Sequence, residues 1–160
     1  MDAAFENHDH RACTRAALCR AEALAEMRGL RLTPVRRRVL EILVEEHRAL
    51  GAYEVLERLA AEGLGKQPPV AYRALDFLVE NGLAHRIQRL NAFTACQSGH
   101  NPETDHGPAF LICRSCQKVA EFDDAALRGN LSEAASGAGF IVERATIEAL
   151  GLCASCAAHA

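Results

Sequence analysis

Cys113-Arg114-Ser115-Cys116 is the stretch that decides how this chain can fold, because a matching pair, Cys153-Ala154-Ser155-Cys156, follows near its end. A Cys-x-x-Cys turn presents two sulfurs from one tight bend, and two such turns complete a tetrahedral four-thiolate zinc site. The segment between the pairs is longer than in a compact zinc ribbon, so it must contain structure that returns the second pair to the first. The spacing predicts a structural zinc ion on Cys113, Cys116, Cys153 and Cys156.

The composition is that of an ordinary soluble protein. The chain has 160 residues, of which 24% are charged and 49% hydrophobic, with a net charge of −3. It has no apolar run approaching the ~20 residues of a membrane span. Acidic residues at Asp2, Glu6 and Asp9 are unlike a signal peptide. We therefore expect a cytoplasmic protein of one or two small domains, whose cysteines bind metal more readily than they form disulfides.

The first half has the pattern of a helical domain. A helix is predicted from Ala16 to Arg28, ending before Gly29, with 1–15 as a flexible tail. Thr33 and Pro34 are typical of an N-cap and first helical position, and the apolar residues after them recur at helical spacing. Further helices are predicted over 52–61 and from Pro68 to about Glu80.

After the fourth helix the period changes to two, which predicts a small hairpin from Leu83 to Cys96 with a turn at Leu90 and Asn91. Helices followed by a two-stranded wing make a winged helix-turn-helix, in which the last helix enters the major groove of DNA. The remainder predicts strands over 109–113 and 118–122, a helix over 124–135 and a long strand from Phe140 to Leu150. This second part is too short to be comfortably stable on its core alone, so zinc would supply stability that the core lacks.

The predicted fold class is α+β, with a winged-helix DNA-binding domain over 1–98, a linker over 99–108 and a small α/β domain over 109–160. Residues 72–78, Tyr-Arg-Ala-Leu-Asp-Phe-Leu, the opening Arg31-Leu-Thr-Pro-x-Arg36 and both cysteine pairs resemble the ferric uptake regulator superfamily. The ending Ile147-Glu-Ala-x-Gly-Leu-Cys153-x-x-Cys156 is most similar to its zinc uptake regulator branch. The resemblance covers about residues 17–156.

That resemblance implies a homodimer that binds operator DNA when loaded with metal, with 109–160 as the dimerisation domain. It also implies a second, regulatory metal site near the domain junction, on His85, Cys96, His106 and Glu121. Two imidazoles, a thiolate and a carboxylate suit tetrahedral zinc better than ferrous iron, which gives two Zn²⁺ per chain. Asp105 or His100 could replace His106. Without the family match, His85 would be a core histidine, Cys96 a buried hydrophobe and Glu121 a solvated carboxylate.

For DNA contact the candidates are Arg73, Tyr72 and Tyr53, with Arg36 and neighbouring arginines on phosphate. A solvated basic helix end explains the arginine cluster equally well. The family usually has Ser or Thr before Val-Tyr-Arg, whereas this chain has Val70-Ala71-Tyr72-Arg73 after two prolines.

The sequence thus predicts a zinc-responsive repressor of zinc-uptake genes, with no enzymatic activity and no small-molecule substrate. An iron- or other metal-responsive regulator of the same superfamily is the alternative. A zinc-stapled module that binds only protein is less favoured, and so is an enzyme with a Cys-x-x-Cys redox pair or a catalytic zinc. Four protein ligands leave zinc no open coordination position for catalysis.

Overall fold

Four helices and a hairpin precede a second sheet that carries the cysteine pairs, in a computed structural model that describes residues 5, 10–97 and 107–159. The helices are α1 (His10–Met27), α2 (Pro34–Val44), α3 (Ala52–Ala61), α4 (Pro68–Glu80), α5 (Ala125–Gly137) and α6 (Ala154–Ala157). The strands are β1 (Ala84–Ile87), β2 (Ala92–Ala95), β3 (Ala109–Cys113), β4 (Val119–Phe122) and β5 (Ile147–Gly151). This mixture of helices and sheets confirms the predicted α+β class.

Helix α2 begins where the sequence predicts, because Thr33 has extended backbone and its hydroxyl accepts a hydrogen bond from the Arg36 N–H at 3.4 Å. Pro34 occupies the first turn, where a missing N–H costs nothing. The predicted apolar stripe is buried, with Val39 and Ile42 fully shielded from solvent. The stripe packs α2 against α1, α3 and α4.

Helices α3 and α4 also have the predicted bounds. Both bury one apolar face in the same core as α2, and both end at a left-handed glycine. Gly63 has φ 74° and Gly82 has φ 71°, a conformation that favours residues without a Cβ. The buried residues of the two helices are Ala52, Val55, Leu56, Leu59, Ala71, Ala74, Leu75 and Leu78.

Helix α1 begins at His10, six residues before the predicted start at Ala16, so the prediction of a flexible tail is wrong for 10–15. The additional turns have partners that the sequence alone does not show. The Thr14 hydroxyl donates to the Val44 carbonyl at 3.3 Å, and farther along Arg20 donates to the Gln97 carbonyl at 3.0 Å. The predicted end is right, since Gly29 has φ 63° and follows the helix.

The hairpin β1–β2 contributes to two hydrophobic clusters. Its strands pair antiparallel, with His85 opposite Thr94. Ala84, Phe93 and Ala95 pack in the helical core, whereas Ile87 and Ala92 pack with residues of the second sheet. The wing is therefore buried from both sides, which explains why every residue of β2 is buried.

The second sheet has the order β4-β3-β5, with β3 antiparallel to β4 and parallel to β5. Helix α5 is capped by Asp124, whose carboxylate accepts from the N–H groups of Ala126 and Leu127. The prediction of one long strand from Phe140 to Leu150 is wrong, because only Ile147–Gly151 is a strand. Phe140 and Ile141 are 64% and 85% exposed and pair with no strand of the described chain.

The segment between α2 and α3 joins the two parts of the molecule. Leu50 exchanges two backbone hydrogen bonds of 2.8 Å with Phe93 of β2. On its other side, the Val119 N–H of β4 donates to the His47 carbonyl at 2.7 Å. The backbone of Arg48 also forms an isolated antiparallel β-bridge with Lys118. Residues 47–50 thus connect the wing to the outer edge of the second sheet. Among the described helices, none has the length and apolar character needed to cross a membrane.

Candidate metal centres and nucleic-acid interface

The four paired cysteines come together at one end of the second sheet. Cys113 is the last residue of β3, and Cys116 lies in the turn before β4. Cys153 is the N-cap that precedes α6, and Cys156 lies within α6. The parallel pairing of β3 with β5 places Gly151 beside Cys113 and so returns the second pair to the first. Gln117 closes the first turn with φ 60°, and its N–H donates to the Cys113 carbonyl.

The geometry of this cluster fits a zinc ion. Its four sulfurs lie within 4.8 Å of one another, and those of Cys116 and Cys153 are 3.9 Å apart. A tetrahedral ion with 2.3 Å bonds separates its sulfurs by about 3.8 Å. The backbone N–H groups of Cys116 and Cys153 donate toward the Cys113 sulfur and lower the pKa of that thiol to about 6. The backbone therefore stabilises the thiolate form that binds metal.

A second cluster lies between the wing and β4. His85 of β1, Cys96 after β2 and Glu121 of β4 offer ligand atoms within 4.8 Å of one another. The His85 Nε2 is 3.2 Å from the Glu121 Oε1, and the Cys96 sulfur is 3.9 Å from the same oxygen. The predicted fourth ligand, His106, and its substitutes His100 and Asp105 lie outside the described residues.

Glu121 is held in place by the backbone beside Cys96. The Gln97 N–H donates to its Oε2 at 2.8 Å, which directs Oε1 toward His85 and Cys96. The side chain of Glu121 is only 2% exposed. A buried carboxylate requires compensating charge, so the surroundings of Glu121 favour a cation.

His85 shows the same preference for positive charge. Burial lowers the pKa of its imidazole, but hydrogen bonds with Cys96 and Glu121 outweigh burial and raise the pKa to about 10. The ring also makes an edge contact with Phe110, with centroids 5.3 Å apart, which fixes its orientation. Without metal the cluster therefore retains a proton where a metal ion would supply the positive charge. Donor set, burial and spacing all fit a tetrahedral zinc ion.

The candidate DNA-contacting residues lie on the exposed side of the helical domain. Tyr72 and Arg73 are exposed on α4, and Tyr53 is 65% exposed on α3. The Arg36 guanidinium lies 3.6 Å above the centroid of the Phe77 ring and donates to the Arg31 carbonyl at 2.9 Å. Phe77 thus fixes the position of Arg36 at the junction of α2 and α4.

Arg37 and Arg38, which neighbour Arg36, form ion pairs within the chain that the sequence did not show. Arg38 pairs with three carboxylates, those of Glu41, Glu45 and Glu62, and so ties α2 to the end of α3. Arg37 pairs with Glu22 of α1 and Glu41. Arg38 and Glu62 are 24 residues apart, so this ion pair depends on the packing of the helices and not on neighbouring sequence.

The exposed helix α4, a wing and two clusters of His, Cys and Glu side chains define a winged-helix protein whose clusters could hold transition-metal ions. The chain belongs to the ferric uptake regulator family, whose family model matches residues 27–150. This confirms the resemblance drawn from the motifs, and the family is one of transcription regulators.

Similar proteins come from both the zinc and the iron branches of this family, and those of the zinc branch share more of the sequence. The chain is 35% identical over 143 residues to the zinc uptake regulation protein of Escherichia coli K12, covering 89% of this chain and 82% of that protein. It is 28% identical over 127 residues to the ferric uptake regulation protein of Shigella flexneri, covering 79% and 83%. A solved zinc uptake regulator in complex with zinc and DNA has 34% identity and a TM-score of 0.81, covering 91% of this chain and 96% of that one.

Proposed function

We propose that this protein is a zinc-responsive transcriptional repressor, which binds operator DNA as a zinc-loaded homodimer and represses zinc-uptake genes. One observation carries the proposal: His85, Cys96 and Glu121 converge from the wing and the second sheet into one cluster. A metal ion there would cross-link the DNA-binding part to the rest of the chain. The relative whose name includes zinc uptake shares more of this sequence than the ferric relative does.

We assign two zinc ions to each chain. Cys113, Cys116, Cys153 and Cys156 would hold a structural ion, and His85, Cys96, Glu121 and the sequence-predicted His106 would hold a regulatory ion. A soft thiolate beside an imidazole and a carboxylate suits zinc, whereas a dedicated ferrous site would favour harder ligands. A zinc ion held by these side chains would supply a cross-link and positive charge, with no change of oxidation state.

The side chains explain how metal binding can reach the DNA-binding helices. Glu121 lies on β4 and Cys96 directly follows β2. These two strands flank residues 47–50, and that segment leads into α3. A metal ion that holds His85, Cys96 and Glu121 together would keep β4 and β2 in register with residues 47–50. This would fix α3 and α4 relative to the second sheet. Shifting such an equilibrium from 1:99 to 99:1 requires about 5.5 kcal/mol of differential binding. Operator DNA must in turn tighten metal binding by the same factor.

The proposed dimer interface is the exposed apolar surface of the second part of the chain. Its members are large hydrophobic residues that the single chain leaves in solvent: Leu111, Leu131, Phe140, Ile141 and Leu150. Helix α5 buries none of its residues within the chain. Exposed apolar patches of this kind mark association surfaces, and a second copy would bury them while presenting two recognition helices.

Metal analysis combined with DNA binding tests the proposed function. The purified protein is expected to contain two zinc ions per chain, and a mild chelator is expected to remove one of them and abolish binding to the operator. The probe is the duplex that the zinc-loaded protein selects from a randomised library. Added zinc should restore binding, whereas ferrous iron should not. Equal binding with and without chelator would contradict the proposal.

Arg73→Ala is expected to weaken operator binding by about 5- to 150-fold, since an arginine that donates to a guanine contributes ~1–3 kcal/mol of discrimination. Zinc content and thermal unfolding should be unchanged, because the side chain is exposed. Binding is measured on the selected duplex and on random DNA. Arg144→Ala, at an exposed position before β5, removes the same charge as a control. An equal loss on random DNA would show that Arg73 contacts phosphate.

A further inference from the structure

Two carboxylates flank Phe110 on one row of the second sheet. Phe110 of β3 is in register with Glu121 of β4 on one side and with Glu148 of β5 on the other. Residues in register on neighbouring strands project to the same face of a sheet. Both carboxylates therefore lie on the face that meets the wing, and Phe110 between them contacts His85.

Glu148 binds the turn of the wing through both of its oxygens. Its Oε1 accepts from the Gln88 N–H at 2.7 Å, and its Oε2 accepts from the Arg89 N–H at 2.9 Å. These residues follow β1 directly and are 60 and 59 positions away in the chain. Hydrogen bonds to a charged acceptor are about twice as strong as neutral ones, and a pair of them also fixes orientation.

The two carboxylates hold different ends of the hairpin. Glu121 reaches His85 and the Gln97 N–H, where the strands meet the rest of the winged helix. Glu148 reaches the turn at the opposite end. It belongs to neither metal-ligating cluster among the described residues, so its contact does not require a metal ion.

We propose that Glu148 is a positioning residue, which holds the wing against the second sheet independently of metal and thereby sets the zinc concentration at which the protein binds DNA. The inference rests on the proposed zinc-responsive function. With one end of the hairpin already held, the regulatory site has less of the wing to order when metal binds. Metal binding then has to supply less differential free energy to favour the arrangement that binds DNA.

Similarity to a DNA-bound relative indicates whether loss of the Glu148 contact should favour or disfavour DNA binding. The arrangement of this chain matches that of the solved zinc- and DNA-bound regulator at a TM-score of 0.81 over 91% of its length. The contact between Glu148 and the turn is part of this arrangement. Its loss should therefore disfavour DNA binding.

The variant Glu148→Gln tests the proposal, because an amide has one acceptor oxygen and no charge. Glu143→Gln is the control: it removes the same charge from an exposed position on the segment that leads to β5. The first measurement is amide hydrogen exchange in the zinc-loaded protein without DNA. The second is the zinc concentration that gives half-maximal binding to the selected duplex.

In Glu148→Gln we expect the Gln88 and Arg89 amides to exchange about tenfold faster. The zinc concentration for half-maximal DNA binding should rise about tenfold, with zinc content unchanged. Glu143→Gln should match the parent in both. Unchanged exchange would overturn the contact, and faster exchange with an unchanged zinc midpoint would overturn the positioning role. If the parent protein shows no zinc-dependent DNA binding, the proposed function fails, and the positioning role fails with it. The exchange rates of the Gln88 and Arg89 amides still show in that case whether Glu148 makes its contact with the turn.

Discussion

Cys153→Ser is expected to remove one zinc ion from each chain and to unfold the part of the protein that contains β3, β4, β5 and α5. Structural zinc sites contribute ~10–16 kcal/mol of apparent binding free energy, which exceeds the whole stability of many small domains. The local core is small, since its cluster contains Phe110, Ile112 and Val119 with three residues from the first part of the chain. Helix α5 adds no buried residue within the chain.

Metal analysis, circular dichroism and size-exclusion chromatography measure this effect. The variant should contain one zinc ion less per chain, lose sheet signal and elute as a monomer or an aggregate. The winged helix should still unfold cooperatively, because its hydrophobic core is separate. Cys19→Ser, at an exposed position on α1, is the matched control and should behave as the parent. A Cys153→Ser protein with full zinc content and an unchanged thermal midpoint would refute the structural assignment.

Cys96→Ser is expected to abolish zinc-dependent operator binding while leaving the fold and the structural zinc intact. A serine hydroxyl is a poor zinc ligand, so the regulatory site should lose at least about 100-fold in metal affinity, ~2.7 kcal/mol. The substitution removes a single sulfur. The Gln97 N–H still holds Glu121, and the strand pairing of β1 with β2 does not involve the side chain.

The measurement is a zinc titration of operator binding, accompanied by competition with a chelator of known affinity. Cys19→Ser again provides the comparison, because it removes a thiol that belongs to neither described cluster. The parent and the control should share one zinc midpoint. If Cys96→Ser binds the operator as tightly as they do and with the same zinc dependence, Cys96 is not a regulatory ligand.

The winged helix could be predicted closely because its signals are local. Thr33, Pro34 and Gly82 mark helix ends through their own backbone and capping chemistry, and the buried stripes follow from helical spacing. The start of α1 could not be predicted in this way, because its first turns depend on tertiary contacts such as that of Thr14 with Val44. The long strand predicted from Phe140 failed for a related reason: these residues are apolar but pair with no strand within one described chain.

The two metal-ligating clusters also differ in whether local sequence patterns predict them. Two Cys-x-x-Cys turns are a local pattern with one dominant chemistry, so the four-cysteine cluster was predictable from spacing. His85, Cys96 and Glu121 have no local pattern and were identified through family resemblance; the structure brings them together. The sequence did not predict a role for Glu148. Its partners are backbone N–H groups on a distant turn, which no side-chain pattern can reveal.

Residues 47–50 have a consequence for how such proteins diversify. Since this short segment bonds to the wing on one side and to β4 on the other, continuous backbone hydrogen bonds join the winged helix to the second sheet. A winged helix grafted from an unrelated protein would leave the outer edge of β4 bare, and bare strand edges recruit foreign strands. Exchanging the winged helix therefore requires a replacement that also pairs with the outer edge of β4.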